Sequence, residues 1–233
     1  MKVAITGANG RLGTELRRLD WAGHTVLPWT RADANLSQAD ATRRVFDRDQ
    51  PDLVIHAAAS TDLVRCESDK QYAWDNVALP AVHVARACAE HKARLVHVST
   101  DYVFSGDEPV HPIPAATRPD PLNYYAMCKV AAETAARAVP DHLVVRTTMK
   151  LRAPWKHPQA PKDMWISHSY FDEVARFLRT VAPTSRQGLA QFGVRDVNVY
   201  EFARLERPDV KPVLRSDIGT LRLPGDIRLE VDA

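Results

Sequence analysis

Short apolar runs alternate with amphipathic stretches along most of the chain. Runs that predict buried strands cover residues 3–5, 24–29, 51–59, 94–100 and 142–148. Stretches with helical spacing of apolar residues cover residues 14–19, 37–47, 72–90, 124–139 and 171–181. The strand–helix alternation predicts an α/β fold with a parallel sheet and helices on both faces. We place Ser37 at the N-cap of the second helix.

The remaining stretches carry weaker signals. Residues 61–68 are interpreted as a polar connection, and the proline-rich residues 105–123 as a loop. Residues 149–164 show no period, residues 188–199 predict one or two short strands, and residues 205–233 predict loop and short strand.

Composition narrows the classes of function. The chain has 233 residues, of which 45% are hydrophobic and 26% charged, as is typical of a soluble globular protein. A net charge of +2 gives no electrostatic case for binding nucleic acid or a membrane, and no apolar run is long enough to span one. Lys2 leads directly into a strand, so we expect no signal peptide. Three widely spaced cysteines predict reduced thiols, a cytoplasmic protein and no metal site.

A glycine-rich loop follows the first strand. The three-residue spacing of its glycines lets the backbone approach a pyrophosphate, and the next helix offers free N–H groups and a positive dipole end. An ordinary tight turn is the alternative. The candidate cofactor residues of this loop are Gly7, Asn9, Gly10, Arg11, Leu12 and Gly13.

The end of the second strand bears on the choice of cofactor. Thr30 and Arg31 stand there, and no carboxylate follows until Asp33. A hydroxyl and a guanidinium suit a 2′-phosphate, to which Arg11 also reaches, so NADP(H) is favoured over NAD(H). The alternative is that Arg31 is a solvated loop residue. Small side chains after the third strand leave room for a flat cofactor. The further candidate cofactor residues are Asn35, Leu36, Ala57, Ala58, Ala59, Thr61, Ser99, Tyr125 and Lys129.

Three residues predict carbonyl or alcohol chemistry. Thr100 ends the fourth strand, and Tyr125 and Lys129 share one helix face at a spacing of four. A phenol has a pKa of about 10, which a neighbouring ammonium lowers. Tyr125 is then the acid or base, Thr100 holds the same oxygen, and Lys129 also binds the nicotinamide ribose. The alternative is a tyrosine and a lysine on a solvated helix face.

These motifs together resemble the extended short-chain dehydrogenase/reductases, and among them the dTDP-4-dehydrorhamnose reductases. The resemblance rests on the glycine spacing, on residues 56–61 (His-Ala-Ala-Ala-Ser-Thr), on residues 98–104 (Val-Ser-Thr-Asp-Tyr-Val-Phe) and on Tyr125-x-x-x-Lys129. It is good through about residue 148 and thin beyond. It departs from the family at Ala126 and Cys128, and at Met149, where the family often has an aromatic residue.

The resemblance implies NADPH-dependent reduction of the 4-keto group of a nucleotide-linked deoxysugar. Thr100, Tyr125 and Lys129 would be catalytic, and the substrate would meet Thr100, Asp101, Tyr102 and Tyr125. It implies a Rossmann-type doubly wound sheet over residues 1–148, which bind NAD(P). Residues 149–233 would form a small, reduced substrate lobe, parts of which return to the first domain. A homodimer through the helices that start near Tyr72 and Tyr124 is also expected.

Two other functions stay open on the sequence. One is a non-catalytic, cofactor-binding regulatory or scaffold subunit, which the shortened lobe favours and the intact Thr100, Tyr125 and Lys129 disfavour. The other is a sugar-nucleotide epimerase or dehydratase. Asp101 follows Thr100 as a dehydratase requires, but the Asp-Tyr-Val-Phe context is that of the reductases.

Overall fold

Buried strands form the centre of the protein. A computed structural model of the chain describes residues 1–152 and 154–231. The strands in the described residues are β1 (Lys2–Thr6), β2 (Thr25–Trp29), β3 (Leu53–His56), β4 (Arg94–Val98), β5 (His142–Thr147), β6 (Gln159–Pro161), β7 (Trp165–His168), β8 (Gly188–Phe192), β9 (Arg195–Asn198), β10 (Lys211–Val213) and β11 (Asp226–Ile227).

The helices cover the sheet or connect its strands. Those in the described residues are α1 (Arg11–Arg18), α2 (Ala39–Asp49), α3 (Leu63–Ser68), α4 (Lys70–Ala73), α5 (Leu79–His91), α6 (Tyr124–Arg137), α7 (Phe171–Val181) and α8 (Val199–Glu206). A π turn, Trp74–Ala78, joins α4 to α5 without a break.

The main sheet has the order β2-β1-β3-β4-β5-β8, and every pair in it is parallel. Its central strands β3 and β4 are buried throughout, which explains their continuous apolar character. The order reverses between β1 and β3, so the carboxyl ends of these two strands open a crevice where such folds bind ligands. The predicted doubly wound α/β class is confirmed.

Helices pack on both faces of this sheet. Leu16 of α1 and Leu178 of α7 are fully buried in one cluster with β1 and β3. Phe46 of α2 and Val84 of α5 are fully buried in the cluster on the other side. Because α7 and β8 lie beyond residue 148, part of the C-terminal sequence belongs to the main sheet and its helical layer.

The rest of the C-terminal sequence forms two small sheets. Their orders are β11-β7-β9 and β10-β6, and β7 pairs with β9 in antiparallel fashion. A separate core containing Phe104, Ile166 and Ile227 joins this region to the segment after β4. The expected loop over residues 105–123 contains no helix or strand, only a bridge between Ile113 and Leu229.

Three local predictions are wrong. Residues 61–68 include a helix, α3, because the Asp62 carboxylate accepts from the Arg65 N–H as an N-cap. Ser37 is not the N-cap of α2, which begins at Ala39, because the Ser37 hydroxyl donates to the carbonyl of Asp75 at 2.6 Å.

The third wrong prediction concerns residues 205–233, for which only loop and short strand are predicted. The first two of these residues, 205 and 206, belong to helix α8. Asn198 caps it through the N–H groups of Tyr200 and Glu201. The predictions for residues 149–164 and 205–233 also fall on residues 153, 232 and 233, which lie outside the described residues.

Candidate active site

The glycine loop between β1 and α1 is shaped for close backbone contacts. Gly7 adopts φ +64°, in the left-handed region, and a Cβ there would lie 3.0 Å from the Cα of Ala58. A Cβ on Gly13 would lie 2.3 Å from the Gly7 carbonyl oxygen, so α1 packs directly on the loop. Gly10 caps α1 without a side chain, which leaves the first N–H groups of the helix free for an anion.

The segment after β3 completes the crevice. The N–H groups of Ala57 and Ala58 both donate to the Thr6 hydroxyl at 3.1 Å. That hydroxyl also bonds the Nδ1 atom of His56 at 2.9 Å. These contacts hold the alanine segment against Gly7 at the point where the strand order reverses.

A cavity of about 300 Å3 opens at this point. Eight predicted cofactor residues line it, namely Gly7, Gly10, Arg31, Asn35, Leu36, Ala57, Ala58 and Ala59. Thr30, whose hydroxyl the sequence analysis assigned to a 2′-phosphate, also lines it. The wall further contains residues that the sequence analysis did not assign to the site, namely Trp29, Ala34, Ser37, Ser60, Tyr72, Asn76 and Pro80. A glycine cradle, a helix N-terminus and a cavity of this volume fit part of the dinucleotide that the loop predicts.

Other predicted cofactor residues lie outside the cavity wall. Asn9 accepts a hydrogen bond from Arg17 at 3.0 Å, and Arg11 is exposed at the start of α1. Leu12 is a buried core residue, and Thr61 is exposed. Gly13, Ser99, Tyr125 and Lys129 are also absent from the residues that line it.

The π turn connects two segments of the cavity wall. In this turn two backbone carbonyls accept hydrogen bonds from outside the helix. The Asp75 carbonyl accepts from the Ser37 hydroxyl at 2.6 Å, and the Asn76 carbonyl accepts from the Ser60 N–H at 2.9 Å. The Asn76 amide donates to Tyr72, within its own helix, at 2.9 Å. The sequence carries no signal for this turn, because its residues also suit an α-helix.

At the end of β2, Asp33 contacts Thr30. Its Oδ2 atom accepts from the Thr30 N–H at 2.9 Å and from the Thr30 hydroxyl at 2.6 Å. These hydrogen bonds lower the pKa of Asp33, so its carboxylate is charged at neutral pH. A negative charge therefore contacts Thr30, whose hydroxyl the sequence analysis assigned to a 2′-phosphate together with Arg31.

Thr100 and Tyr125 meet beyond the end of β4. Both side chains are buried, and the Thr100 hydroxyl is close enough to the phenol to oppose the rise in the pKa of Tyr125. Asn123 caps α6 by accepting from the Ala126 N–H at 3.0 Å, which fixes the first turn that carries Tyr125. Lys129, one turn further, donates to the Val98 carbonyl at 2.7 Å.

The electrostatics at Tyr125 differ from the expectation that Lys129 lowers its pKa. Burial raises the pKa of Tyr125, and the Asp101 carboxylate raises it further. Burial also lowers the pKa of Lys129 to about 8. The prediction that Lys129 lowers the pKa of Tyr125 is wrong for this structure. Burial of Tyr125 is the largest effect on its pKa, and the Lys129 ammonium donates to the Val98 carbonyl instead.

The hydroxyl of Ser99 has a structural partner. It donates to Oε1 of Glu133 at 2.6 Å, in a buried contact. The same carboxylate pairs with Arg146 of β5, whose side chain is fully buried. The Ser99 side chain therefore connects β4 to α6, which supports the helix that carries Tyr125.

Buried imidazoles lie beneath Lys129. The His97 Nε2 atom is 3.4 Å from the Lys129 ammonium, and the His97 ring stacks on that of His56 at 5.4 Å. Burial lowers the pKa of His56 to about 3 and that of His97 well below its usual range, and Lys129 adds to both effects. Both rings are therefore neutral at the base of the site.

Among the described residues, no group of three or more His, Cys, Asp or Glu side chains is placed to hold a metal ion. No helix in residues 1–152 or 154–231 combines the length and apolar character that crossing a membrane requires.

Comparison with known proteins identifies the family. The model of the family described as the RmlD substrate binding domain matches residues 1–194. The chain belongs to this family. RmlD-family membership confirms the resemblance to dTDP-4-dehydrorhamnose reductases that the motifs indicate.

Two curated proteins are similar to more than half of the chain. The dTDP-4-dehydrorhamnose reductase of Mycolicibacterium smegmatis is 37% identical over 153 residues, which are 65% of this chain and 46% of that protein. That of Mycobacterium tuberculosis is 39% identical over 152 residues, or 63% and 49% of the two chains. The chain thus spans about half the length of the curated relatives it matches.

Solved structures extend the likeness to nearly the whole chain. A dTDP-4-dehydrorhamnose reductase from Bacillus anthracis, in complex with NADP, has a TM-score of 0.89 and 24% identity, covering 99% of this chain and 90% of that one. A Clostridium acetobutylicum dTDP-4-dehydrorhamnose reductase has the same TM-score and coverage at 26% identity. The first of these shows a shared fold.

Proposed function

We propose that this protein reduces the 4-keto group of a nucleotide-linked deoxysugar with NADPH. The observation that carries the proposal is that the buried side chains of Thr100 and Tyr125 lie close together, next to the strand end where Lys129 is held. A phenol and a second hydroxyl around one point suit a carbonyl oxygen. The similarity to dTDP-4-dehydrorhamnose reductases supports this substrate class.

Each residue has a defined task in this proposal. NADP(H), bound at the glycine loop, would supply the hydride for the carbonyl carbon. Tyr125 gives its proton to the oxygen, and its raised pKa keeps that proton in place until the oxygen becomes basic. Thr100 orients the oxygen. Lys129 keeps N–H donors for the nicotinamide ribose besides the one that Val98 accepts.

The cofactor residues proposed for this chain fall into two sets. The glycine loop and the alanine segment hold the pyrophosphate and the flat rings, as the 300 Å3 cavity between them supports. Arg31, assisted by Arg11, accounts for the proposed preference for NADP(H) over NAD(H). Asp33 weakens that preference because its charged carboxylate occupies the Thr30 hydroxyl and N–H at the same end of β2.

The test is reduction of a panel of nucleotide-linked 4-keto-6-deoxy sugars, followed by cofactor absorbance. We expect Tyr125→Phe to lower kcat by about 10²- to 10⁴-fold while cofactor binding stays unchanged. Tyr124→Phe is the matched control, because Tyr124 neighbours Tyr125 but is not buried with Thr100. Full activity in Tyr125→Phe would exclude this mechanism. Cofactor binding without turnover on any sugar would instead favour a non-catalytic subunit.

We also propose that the chain forms a homodimer through the helices that start near Tyr72 and Tyr124. Large apolar side chains are exposed on this side: Val64 is 69% exposed, Met127 49% and Trp74 40%. Light scattering should give the mass of two chains, and Met127→Glu should give one. Leu205→Glu, on α8, is the control and should stay dimeric. A wild-type mass of one chain would contradict the proposal.

A further inference from the structure

Asp101 is a buried carboxylate with partners on both oxygens. Its side chain is 1% exposed. Oδ1 accepts from the Thr100 hydroxyl at 3.0 Å, and Oδ2 accepts from the Thr148 hydroxyl. The charged or titratable groups that face it are Lys150, after β5, and the phenols of Tyr102 and Tyr125.

The Thr100 hydroxyl has no spare proton in this arrangement. A hydroxyl has one proton to donate and two lone pairs to accept with. Thr100 donates its proton to Asp101 and accepts from the Tyr102 N–H at 3.2 Å. While Asp101 holds the proton of Thr100, Thr100 cannot donate it to a substrate oxygen.

The direction of this hydrogen bond depends on the charge of Asp101. An ionised carboxylate can only accept, whereas a neutral carboxyl group has an O–H to donate. Burial raises the pKa of Asp101 to about 6, against the hydrogen bonds from Thr148 and Thr100. Both forms are therefore populated close to neutral pH.

We propose that Asp101 is a positioning residue whose own proton decides whether Thr100 donates to Asp101 or to the oxygen that Tyr125 protonates. This inference rests on the proposed reduction. In that step the carbonyl carbon gains the hydride, the π-electron pair moves to oxygen, and oxygen takes the Tyr125 proton. Thr100 and Asp101 exchange no proton with the substrate, so neutral Asp101 acts only by releasing the Thr100 donor.

The first test is the pH profile of kcat/KM for reduction in wild type and Thr148→Val. In wild type we expect kcat/KM to rise as pH falls through the pKa of Asp101. The variant removes a donor that stabilises the ionised form, so the inflection should move up by about one pH unit. Thr134→Val is the control, because Thr134 is exposed on α6, and its profile should match wild type.

The second test needs no turnover. In 13C-labelled full-length protein, the Asp101 carboxyl and the Thr100 methyl signals are followed against pH, with Asp101→Asn used to assign the carboxyl. We expect one shared midpoint, which Thr148→Val moves upward in both signals.

Two results would overturn the proposal. One is a Thr100 methyl chemical shift that does not change as Asp101 titrates. The other is a kinetic inflection that stays in place in Thr148→Val although the carboxyl midpoint moves. A protein that reduces no sugar but shows the coupled titration would defeat the proposed function and support the positioning role.

Discussion

The guanidinium of Arg146 and the carboxylate of Glu133 form a two-pronged ion pair inside the protein, with Nε–Oε1 at 2.9 Å and Nη2–Oε2 at 2.8 Å. The pair joins β5 to α6, the helix that carries Tyr125. Glu133→Gln leaves the buried guanidinium without its counter-charge, so we expect the free energy of unfolding to fall by about 3–5 kcal/mol. Urea unfolding measures this.

The control for this variant is Glu15→Gln on α1. Glu15 pairs with Arg18 at the surface, where an ion pair contributes about 0–1 kcal/mol. Equal losses in both variants would contradict the role of the buried pair.

Gly13→Ala tests the packing of α1 on the glycine loop. The added Cβ would lie 2.3 Å from the Gly7 carbonyl oxygen, and backbone must shift to admit it. We expect a loss of about 1–3 kcal/mol in stability and a clear loss of NADPH affinity in fluorescence titration. Gly23→Ala has no atom within 4 Å, so it should keep its affinity although its φ of +77° adds strain. Unchanged affinity in Gly13→Ala would count against the phosphate site.

Acid should destabilise the protein through His56 and His97. In the unfolded chain both titrate near 6.5, but in the folded chain the pKa of His56 is about 3 and that of His97 is also low. Between these values only the unfolded state binds the protons. Stability is therefore full above pH 6.5 and falls below it, by about 1.4 kcal/mol per pH unit for each histidine.

The matched variants for this prediction are His56→Asn and His157→Asn. Replacing His56 should make the loss of stability in acid less steep, whereas His157 is exposed and should change nothing. Chemical unfolding at several pH values gives the slopes. Identical slopes in wild type and His56→Asn would show that His56 is not neutral in the fold.

Asp33 and Arg31 should act in opposite directions on cofactor choice. Asp33→Asn removes a charged carboxylate that contacts Thr30 in the cavity wall, so the KM for NADPH should fall relative to that for NADH. Arg31→Ala should have the reverse effect. Each ratio should change by roughly two- to fivefold, as expected for exposed charges. Arg18→Ala, on the exposed face of α1, should leave the ratio unchanged, and a similar change there would indicate a non-specific charge effect.

The sequence predicted the central sheet because strands such as β3 and β4 are buried on both faces and read as continuous apolar runs. Short capped helices escaped prediction, since α3 has six residues, of which Cys66 alone is fully buried. In the candidate site, spacing predicted that Tyr125 and Lys129 share a helix face. Spacing could not show that Ser99 faces Glu133 or that burial dominates the pKa of Tyr125. Both depend on tertiary contacts between distant segments.

The π turn couples two parts of the cavity wall mechanically. Asp75 and Asn76 are consecutive residues. The Asp75 carbonyl accepts from Ser37, in the segment after β2, and the Asn76 carbonyl accepts from Ser60, in the segment after β3. Because both hydrogen bonds come from one short turn, we expect the two parts of the cavity wall to shift together when a cofactor binds.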